Sequence, residues 1–403
     1  LLSTLMTPRD ILVVNCGSSS LKFSLITPST HHEKLSGIAQ CLGSKSASIT
    51  FNTVENKTTM PIDGPFSHQQ AVEKLICYLD DNQLTDSIDA IGHRVVHGGE
   101  SYAKPTILNE QVLTKLKELS SLAPLHNPAN ITGIKAMSIA FNHLPQVAVF
   151  DTAYHQTMPE KAFIYALPYV LYTDHSIRKY GFHGTSHYYV AFKASAQLQQ
   201  PFNNTNLITA HLGNGCSISA IANGESIDTS MGFTPLAGFA MGTRSGDLDP
   251  GILFHLINQL DYSSKQLEEL LNNESGLKGI SGLSNDCRTL EQEALQNNNQ
   301  RAQLALDIFS YQIAKNIASF VASLTKLDAL VFTGGIGENS SYIREKVIDN
   351  LSLINFHIDN KANRSCRFGQ SGDISTTKSR PVLVIPTDEE WVIANQTQQL
   401  LEQ

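Results

Sequence analysis

The sequence predicts an α/β protein built from two duplicated domains, and three observations carry that reading. The chain has 403 residues, more than one core usually organises, since domains mostly run to about 50–250 residues. Apolar strand-like runs alternate with amphipathic, helix-like stretches, the pattern of α/β chains. The stretch "ILVVNCGSSSLKFSLI" (11–26) recurs in outline as "LITAHLGNGCSISAI" (207–221): strand, a turn of Gly and small polar residues, strand, once in each half. Such a repeat reads as a duplicated unit. The pattern assigns residues 1–150 plus 386–403 to one domain and 151–385 to the other.

The elements follow in order. Ile11–Cys16 and Leu21–Ile26 form a hairpin. Its turn holds Asn15, three serines and a nearby Lys22, more polar groups than a turn needs. Ser67 caps a helix with the apolar stripe Ala71, Leu75, Ile76 and Leu79. Residues 88–96 read as a strand, Asn127-Pro128 as a cap plus first helical residue, and Val147–Phe150 as a short buried strand ending at Asp151. In the second half, Asp249 caps a helix starting at Pro250, residues 300–325 form a long amphipathic helix, and "DALVFTGGIGEN" (328–339) is strand, glycine turn and helix start. "PVLVIPTDEEW" (381–391) is a strand feeding the last helix, and the polar 360–380 segment reads as a surface connection. In "PTDEEW", Thr387-x-x-Glu390 fits a capping box, which makes Glu390 structural and leaves Glu389 for a metal.

Composition removes several function classes. The 29 basic and 37 acidic side chains give a formal net charge of −8 without any basic run, so nucleic acid is not an expected partner. No apolar run approaches the ~18–20 residues of a membrane span, and "LLSTLM" (1–6) is shorter than a signal-peptide core; Met6 is a possible natural start. The six cysteines form no CxxC pair and read as free thiols of a reducing, cytoplasmic protein.

The motifs point to phosphate chemistry. Successive N–H groups in a glycine-rich turn form an anion-binding concavity, and the serines of the first turn are donors suited to phosphoryl oxygens. No Walker A motif and no protein-kinase motif set occurs. In "HRVVHGG" strand alternation sets Arg94 and Val96 on one face, a guanidinium for a carboxylate beside an apolar surface for an alkyl group; a structural salt bridge is an equal reading of Arg94 alone. Asp151 ends a strand where open α/β sheets place ligands. In "YGFHGTSH", His183 is the candidate for a ligand site and His187 reads as structural. "DTSMGFTPLAGFAMGTRSGDLDP" surrounds a lone Arg244 with glycine and threonine, as a phosphoryl clamp requires. Cys16, Cys216 and Cys287 lie near these motifs without an evident base and read as packing residues.

Taken together in order from residue 11 to 391, "VVNCGSSSLKFSLI", "HRVVHGG", "FDTAYHQTMP", "YGFHGTSH", "HLGNGCSISAI", "DTSMGFTPLAGFAMGTRSGD", "FTGGIGEN" and "IPTDEE" closely resemble the acetate kinase family of acyl kinases. The resemblance implies two ribonuclease H-like domains, the fold shared with sugar kinases, heat-shock chaperones and actin, with an active-site cleft between them. It further implies a homodimer whose second domain binds nucleotide and dimerises. The implied reaction interconverts ATP plus acetate with ADP plus acetyl phosphate, with Mg²⁺ or Mn²⁺. It makes Asn15 and Glu389 the metal residues, Arg94, Val96, Leu125 and Pro235 the acetate pocket, Asp151 the catalytic acid, and His183 and Arg244 the transition-state stabilisers. Lys22, His211, Leu212, Gly213, Asn214 and Gly215 belong to the implied nucleotide site. So do Asp286, Cys287 and Arg288, with Gly335, Ile336, Gly337, Glu338 and Asn339.

Acetate at neutral pH is already a carboxylate, since free carboxyls titrate near ~4. A proton-abstracting role for Asp151 is therefore not required, and orienting a metal-bound water or His183 is the alternative. Two further functions compete. A non-catalytic ATP-binding switch shares the hairpins but does not explain Arg94 with Val96, and a propionate or butyrate kinase differs only in the size of the pocket. One methylene in an apolar pocket is worth about 1–3 kcal/mol, so wild type is expected to use propionate poorly. Val96→Ala should raise kcat/KM for propionate relative to acetate in a hydroxamate assay; an unmoved ratio would remove Val96 from the pocket.

Overall fold

In a computed structural model of the chain, residues 9–403 are described; the "LLSTLM" segment and Met6 lie outside them. The described chain divides into two compact units. One runs through Ala153 and includes Asp388–Gln403; the other is Tyr154–Thr387.

The first unit holds β1 (Asp10–Cys16), β2 (Leu21–Thr27), β3 (His32–Gln40), β4 (Ser48–Asn52), β5 (Lys57–Pro61), β6 (Ile88–Val95), β7 (Thr106–Ile107) and β8 (Gln146–Phe150) in one sheet of order β5-β4-β3-β2-β1-β6-β8-β7. β1 pairs antiparallel with β2 and parallel with β6, which pairs parallel with β8. β1 is buried at nearly every position, because both sheet faces are covered. Leu12 and Val14 pack with Ala71, Leu75 and Leu79 of the helix His68–Asp81 and Met137 of the helix Asn127–Ala140. Ile11 and Val13 pack with Ile393 and Ala394 of the last helix, Glu389–Leu401. Gly92 is the close-approach point on that second face. A Cβ there would sit 2.7 Å from Thr397 Oγ1 and 2.8 Å from Ile393 Cγ2. Arg94, two residues on, faces the same way, toward the start of the last helix.

Ser67 caps the helix His68–Asp81 in a capping box with Gln70. Asn127 corrects the expected cap: His126 is the N-cap position and Asn127 already lies inside the helix. Its side chain serves the end of β6 instead, accepting from His97 N–H at 3.1 Å and donating to His97 O at 3.0 Å. β6 stops one residue before the expected Val96, whose N–H turns to Asn130 Oδ1 at 3.0 Å.

The second unit repeats the arrangement with β9 (Leu207–Leu212), β10 (Cys216–Ala222), β11 (Glu225–Thr229), β12 (Ala329–Thr333), β13 (Gly372–Asp373) and β14 (Val382–Val384), ordered β11-β10-β9-β12-β14-β13. Thus β3-β2-β1-β6-β8 and β11-β10-β9-β12-β14 share the same order and the same strand directions, as the α/β duplication requires. The helix Pro250–Leu260 starts on an Asp249 cap, and Gln300–Val321 is the long helix. The 360–380 segment departs from the expected surface connection: it contains the helix Asn360–Ser365 and edge strand β13. Among the described residues no helix is long and apolar enough to cross a membrane, and all six cysteines are free thiols.

Candidate active site

In the first unit, three polar elements gather at the ends of β1, β6 and β8. The β1–β2 turn closes by Gly17 N–H to Ser20 O at 2.8 Å, and His68 Nε2 holds Gly17 O at 2.8 Å. The hydroxyls of Ser18, Ser19 and Ser20 and the Asn15 amide make no hydrogen bond among the described residues, so all remain available to a ligand. Lys22 stands opposite Asn15 in the hairpin and is exposed.

Arg94 and Asp151 form a buried ion pair in this unit. Arg94 Nε donates to both carboxylate oxygens at 3.0 and 3.1 Å, and Nη2 donates to Oδ2 at 2.6 Å. The Asp151 side chain is 1% exposed, that of Arg94 25%. Burial penalises the Arg94 charge, but Asp151, with Glu389 and Glu390 behind it, pulls its pKa above the ordinary value. The salt-bridge reading of Arg94 is therefore realised, and the same contact gives Asp151 its partner. A guanidinium has five N–H donors, so the Nη1–Nη2 edge is left for a second carboxylate. Val96 is buried and Leu125 largely exposed.

Glu389 is the first residue of the last helix, half-buried, and its charge acts on both Arg94 and Asp151. The helix lies against β1 and β6. An amide oxygen from Asn15 and a carboxylate from Glu389 fit the donor set of Mg²⁺, which takes one or two carboxylates and completes its shell with water and phosphate.

The expected capping box at Thr387 and Glu390 is not formed. The helix starts one residue later, and Asp388 is its N-cap: Oδ1 accepts from Trp391 N–H at 2.9 Å, while Oδ2 meets His31 Nε2 at 2.7 Å. Thr387 donates its N–H to Glu338 Oε1 at 3.1 Å and its hydroxyl to Ser186 Oγ at 2.8 Å. Glu390 is not a solvated capping acid; burial pushes its carboxyl above the ordinary range, Glu389 and Asp388 add to the shift, and Lys22 opposes it.

In the second unit, the β9–β10 turn closes by Gly213 N–H to Gly215 O at 3.1 Å. A Cβ on Gly215 would lie 3.4 Å from Arg244 Nη1 and 3.5 Å from His183 Nε2, so both candidate stabilisers converge on this turn. His183 precedes the helix Gly184–Gln197 with φ 57°, a left-handed conformation costly for a residue with a Cβ and common at functional sites. Its Nδ1 meets Ser217 Oγ at 2.9 Å, and its ring stacks on His211 at 4.3 Å. Ser217 Oγ also meets Nε2 of the buried His187 at 2.7 Å, whose other nitrogen meets Thr209. Burial drives the pKa of His187 well down, with His155 and His211 adding to the shift. Arg244 is half-buried, donates to Pro235 O at 3.1 Å and has no carboxylate partner among the described residues. Its loop is fixed by Met241 N–H to Arg244 O at 3.0 Å, Ser275 N–H to Thr243 O at 2.9 Å and Asp247 Oδ1 on Gly238 N–H at 2.9 Å.

Beside this turn the same unit encloses a cavity of about 440 Å³. Gly213, Asn214, Asp286, Cys287, Arg288, Gly335, Ile336 and Asn339 line it. The other expected nucleotide residues of this unit do not line it. His211 bonds Ser186, and Leu212 is fully buried. Gly334 (φ +77°) packs on the Leu212 backbone, where a Cβ would lie 2.7 Å from its carbonyl oxygen. Glu338 accepts from Gly334 N–H at 2.9 Å, and Gly337 gives its carbonyl to Arg344 at 2.8 Å. Glu291, Ser340, Arg367 and Phe368 also line the cavity and escaped the sequence reading; the Arg-Phe pair in an otherwise polar segment was the one available signal. Cys216 and Cys287 are buried thiols, Cys216 pushed up to about 12 by desolvation, which suits packing rather than nucleophilic chemistry.

The acetokinase family profile matches residues 10–395. An acetate kinase of Shewanella sp. (strain MR-4) is 50% identical over 398 residues, 98% of this chain and 100% of that protein. Among solved structures, a propionate kinase from Francisella tularensis superposes with TM-score 0.93 at 46% identity, covering 97% of this chain and 99% of that one. The Porphyromonas gingivalis acetate kinase follows with TM-score 0.92 at 42% identity, covering 98% and 100%.

The start of the last helix yields a stability test. Asp388→Ala should cost roughly 0.5–2 kcal/mol, the worth of an N-cap. Glu390→Gln should cost nothing and gain slightly at neutral pH, because a buried charge is removed. That gain should vanish as pH falls through the raised Glu390 pKa, where the wild-type carboxyl is itself neutral. Urea denaturation of both variants checks this; equal losses would restore Glu390 as the capping residue.

Proposed function

The chain belongs to the acetokinase family and catalyses phosphoryl transfer between ATP and acetate; we propose that it does so by direct in-line transfer. The observation that carries this is Arg244: a half-buried guanidinium with no carboxylate, converging with His183 Nε2 on a glycine turn. Phosphoryl transfer needs positioning and charge stabilisation more than covalent help. Arg244 and His183 face the oxygens of the moving phosphoryl group. Ser217 holds the His183 ring through Nδ1.

Arg94 receives the acetate carboxylate on its Nη1–Nη2 edge, and Asp151 locks the guanidinium from the other side. Asp151 is thus a positioning residue that removes no proton. Val96 meets the acetate methyl, with Leu125 as a further residue of the first unit's pocket. Asn15 and Glu389 are the residues that would hold Mg²⁺, which when bound supplies positive charge against phosphate oxygens. Ser18, Ser19, Ser20 and Lys22 add donors for phosphate, and the cavity beside Gly213 takes the nucleoside.

The units divide these tasks: the first carries the acyl acceptor, the second the nucleotide. A second copy of the chain is the proposed partner. The helix Pro250–Leu260 buries none of its residues and exposes Ile252, Phe254, Ile257 and Leu260, an apolar face larger than an isolated surface helix carries. Free thiols fit a cytoplasmic setting. Propionate remains the second acceptor, since a 46% identical structure is that of a propionate kinase.

Paired variants test the assignment in steady-state kinetics. Arg244→Ala should lower kcat by about 10²–10³ with both KM values near wild type. Arg94→Ala should raise the KM for acetate, the loss of a charged hydrogen bond being worth roughly 1.5–3 kcal/mol, while the KM for ATP holds. A small kcat loss with a lower melting temperature in Arg244→Ala would make that residue structural instead.

A further inference from the structure

The cavity of the second unit has a wall for which phosphate binding gives no reason. Phe368 lines it, the residue being 79% exposed with its backbone at φ 55°, a left-handed conformation that is an outlier for a bulky residue. Arg367 also lines the cavity, and its guanidinium lies 4.9 Å from the centroid of the Phe368 ring. Arg367 Nε is buried with no hydrogen-bond partner among the described residues.

This pair is held firmly. Phe368 N–H donates to Asn339 Oδ1 at 2.8 Å. Arg344, fully buried, donates from Nη2 to Asn363 O at 2.7 Å and Cys366 O at 2.9 Å, and from Nη1 to Gly337 O at 2.8 Å and Glu338 O at 2.9 Å. A guanidinium that meets four carbonyls and no carboxylate ties the segment before Arg367 to the Gly335–Asn339 wall. An exposed aromatic ring, fixed in a costly backbone conformation, with a planar cation against it and an orphan N–H beside it, is a stacking surface awaiting a flat ligand.

We propose that Arg367 and Phe368 form the nucleobase platform of the phosphoryl-donor site and select purine over pyrimidine nucleotides. The inference rests on the reading of this cavity as the nucleoside site and adds to it the residues that set donor specificity. A purine's two rings cover more of a phenyl and guanidinium surface than a pyrimidine's one ring, and both contacts act through the π face.

The test compares ATP and CTP as donors, with ADP binding followed by calorimetry. Wild type should prefer ATP. Phe368→Ala should raise the KM for ATP roughly tenfold, the usual worth of one stacked base, and change CTP far less, so the ATP/CTP ratio of kcat/KM narrows. Arg367→Ala should narrow it in the same direction, and Phe368→Trp should restore it. Equal use of ATP and CTP by wild type overturns the proposal. So does an unchanged ratio in both alanine variants; if Arg288→Ala meanwhile weakens ADP binding, the cavity reading survives and the platform alone falls. Unaltered ADP binding in all three variants overturns the cavity reading and the platform together.

Discussion

The buried pair of Arg94 and Asp151 is the contact on which the proposed acceptor site depends. A carboxylate 1% exposed is tolerable only when it is paired and hydrogen-bonded, and the three N–H contacts from Arg94 meet that condition. The pairing works in both directions. Asp151 keeps Arg94 charged and fixes its plane; Arg94 gives one edge to Asp151, and the proposed function puts the acetate carboxylate on the other. Everything upstream serves this geometry. β6 and β8 run parallel, so their carboxyl ends lie side by side. Gly92 lets the last helix press onto β6, which brings Glu389 close enough for its charge to act on the pair. The amides of Asn127 and Asn130 take over the backbone where β6 ends.

The second unit solves a different problem with the same sheet. Its hairpin turn carries glycines where the first carries serines, which leaves room for Arg244 and His183 against the backbone at Gly215. Here the cation has no carboxylate partner among the described residues, whereas in the first unit it is neutralised. An acceptor that is already an anion needs a guanidinium with one edge free. A transferring phosphoryl group needs a guanidinium with no competing anion.

Much of this was legible in the sequence because the signals were local. The two hairpins, the caps at Ser67 and Asp249 and the glycine turn before Gly335 follow from residue chemistry within a few positions. Where the reading failed, a distant partner decided. Thr387 has the right spacing to Glu390, but its N–H and hydroxyl are claimed by Glu338 and Ser186, and the cap passes to Asp388, itself engaged by His31. Asn127 sits where a cap belongs, yet serves a strand end 30 residues earlier in the chain. Arg367 and Phe368 lie in a segment that reads as a polar connection; only Arg344 and Asn339, from the neighbouring wall, reveal their place. Arg94 was read as substrate ligand or salt bridge, and its fork geometry allows both at once.

In the proposed mechanism Asp151 positions Arg94 and moves no proton. Single-turnover phosphoryl transfer from ATP to acetate, followed by rapid quench in H₂O and in D₂O at equivalent pH, tests it directly. Equal transfer rates are expected in the two solvents, because the acceptor oxygen carries no proton to lose. Slower transfer in D₂O by wild type, abolished by Asp151→Asn, would show a proton in flight at Asp151 and contradict it.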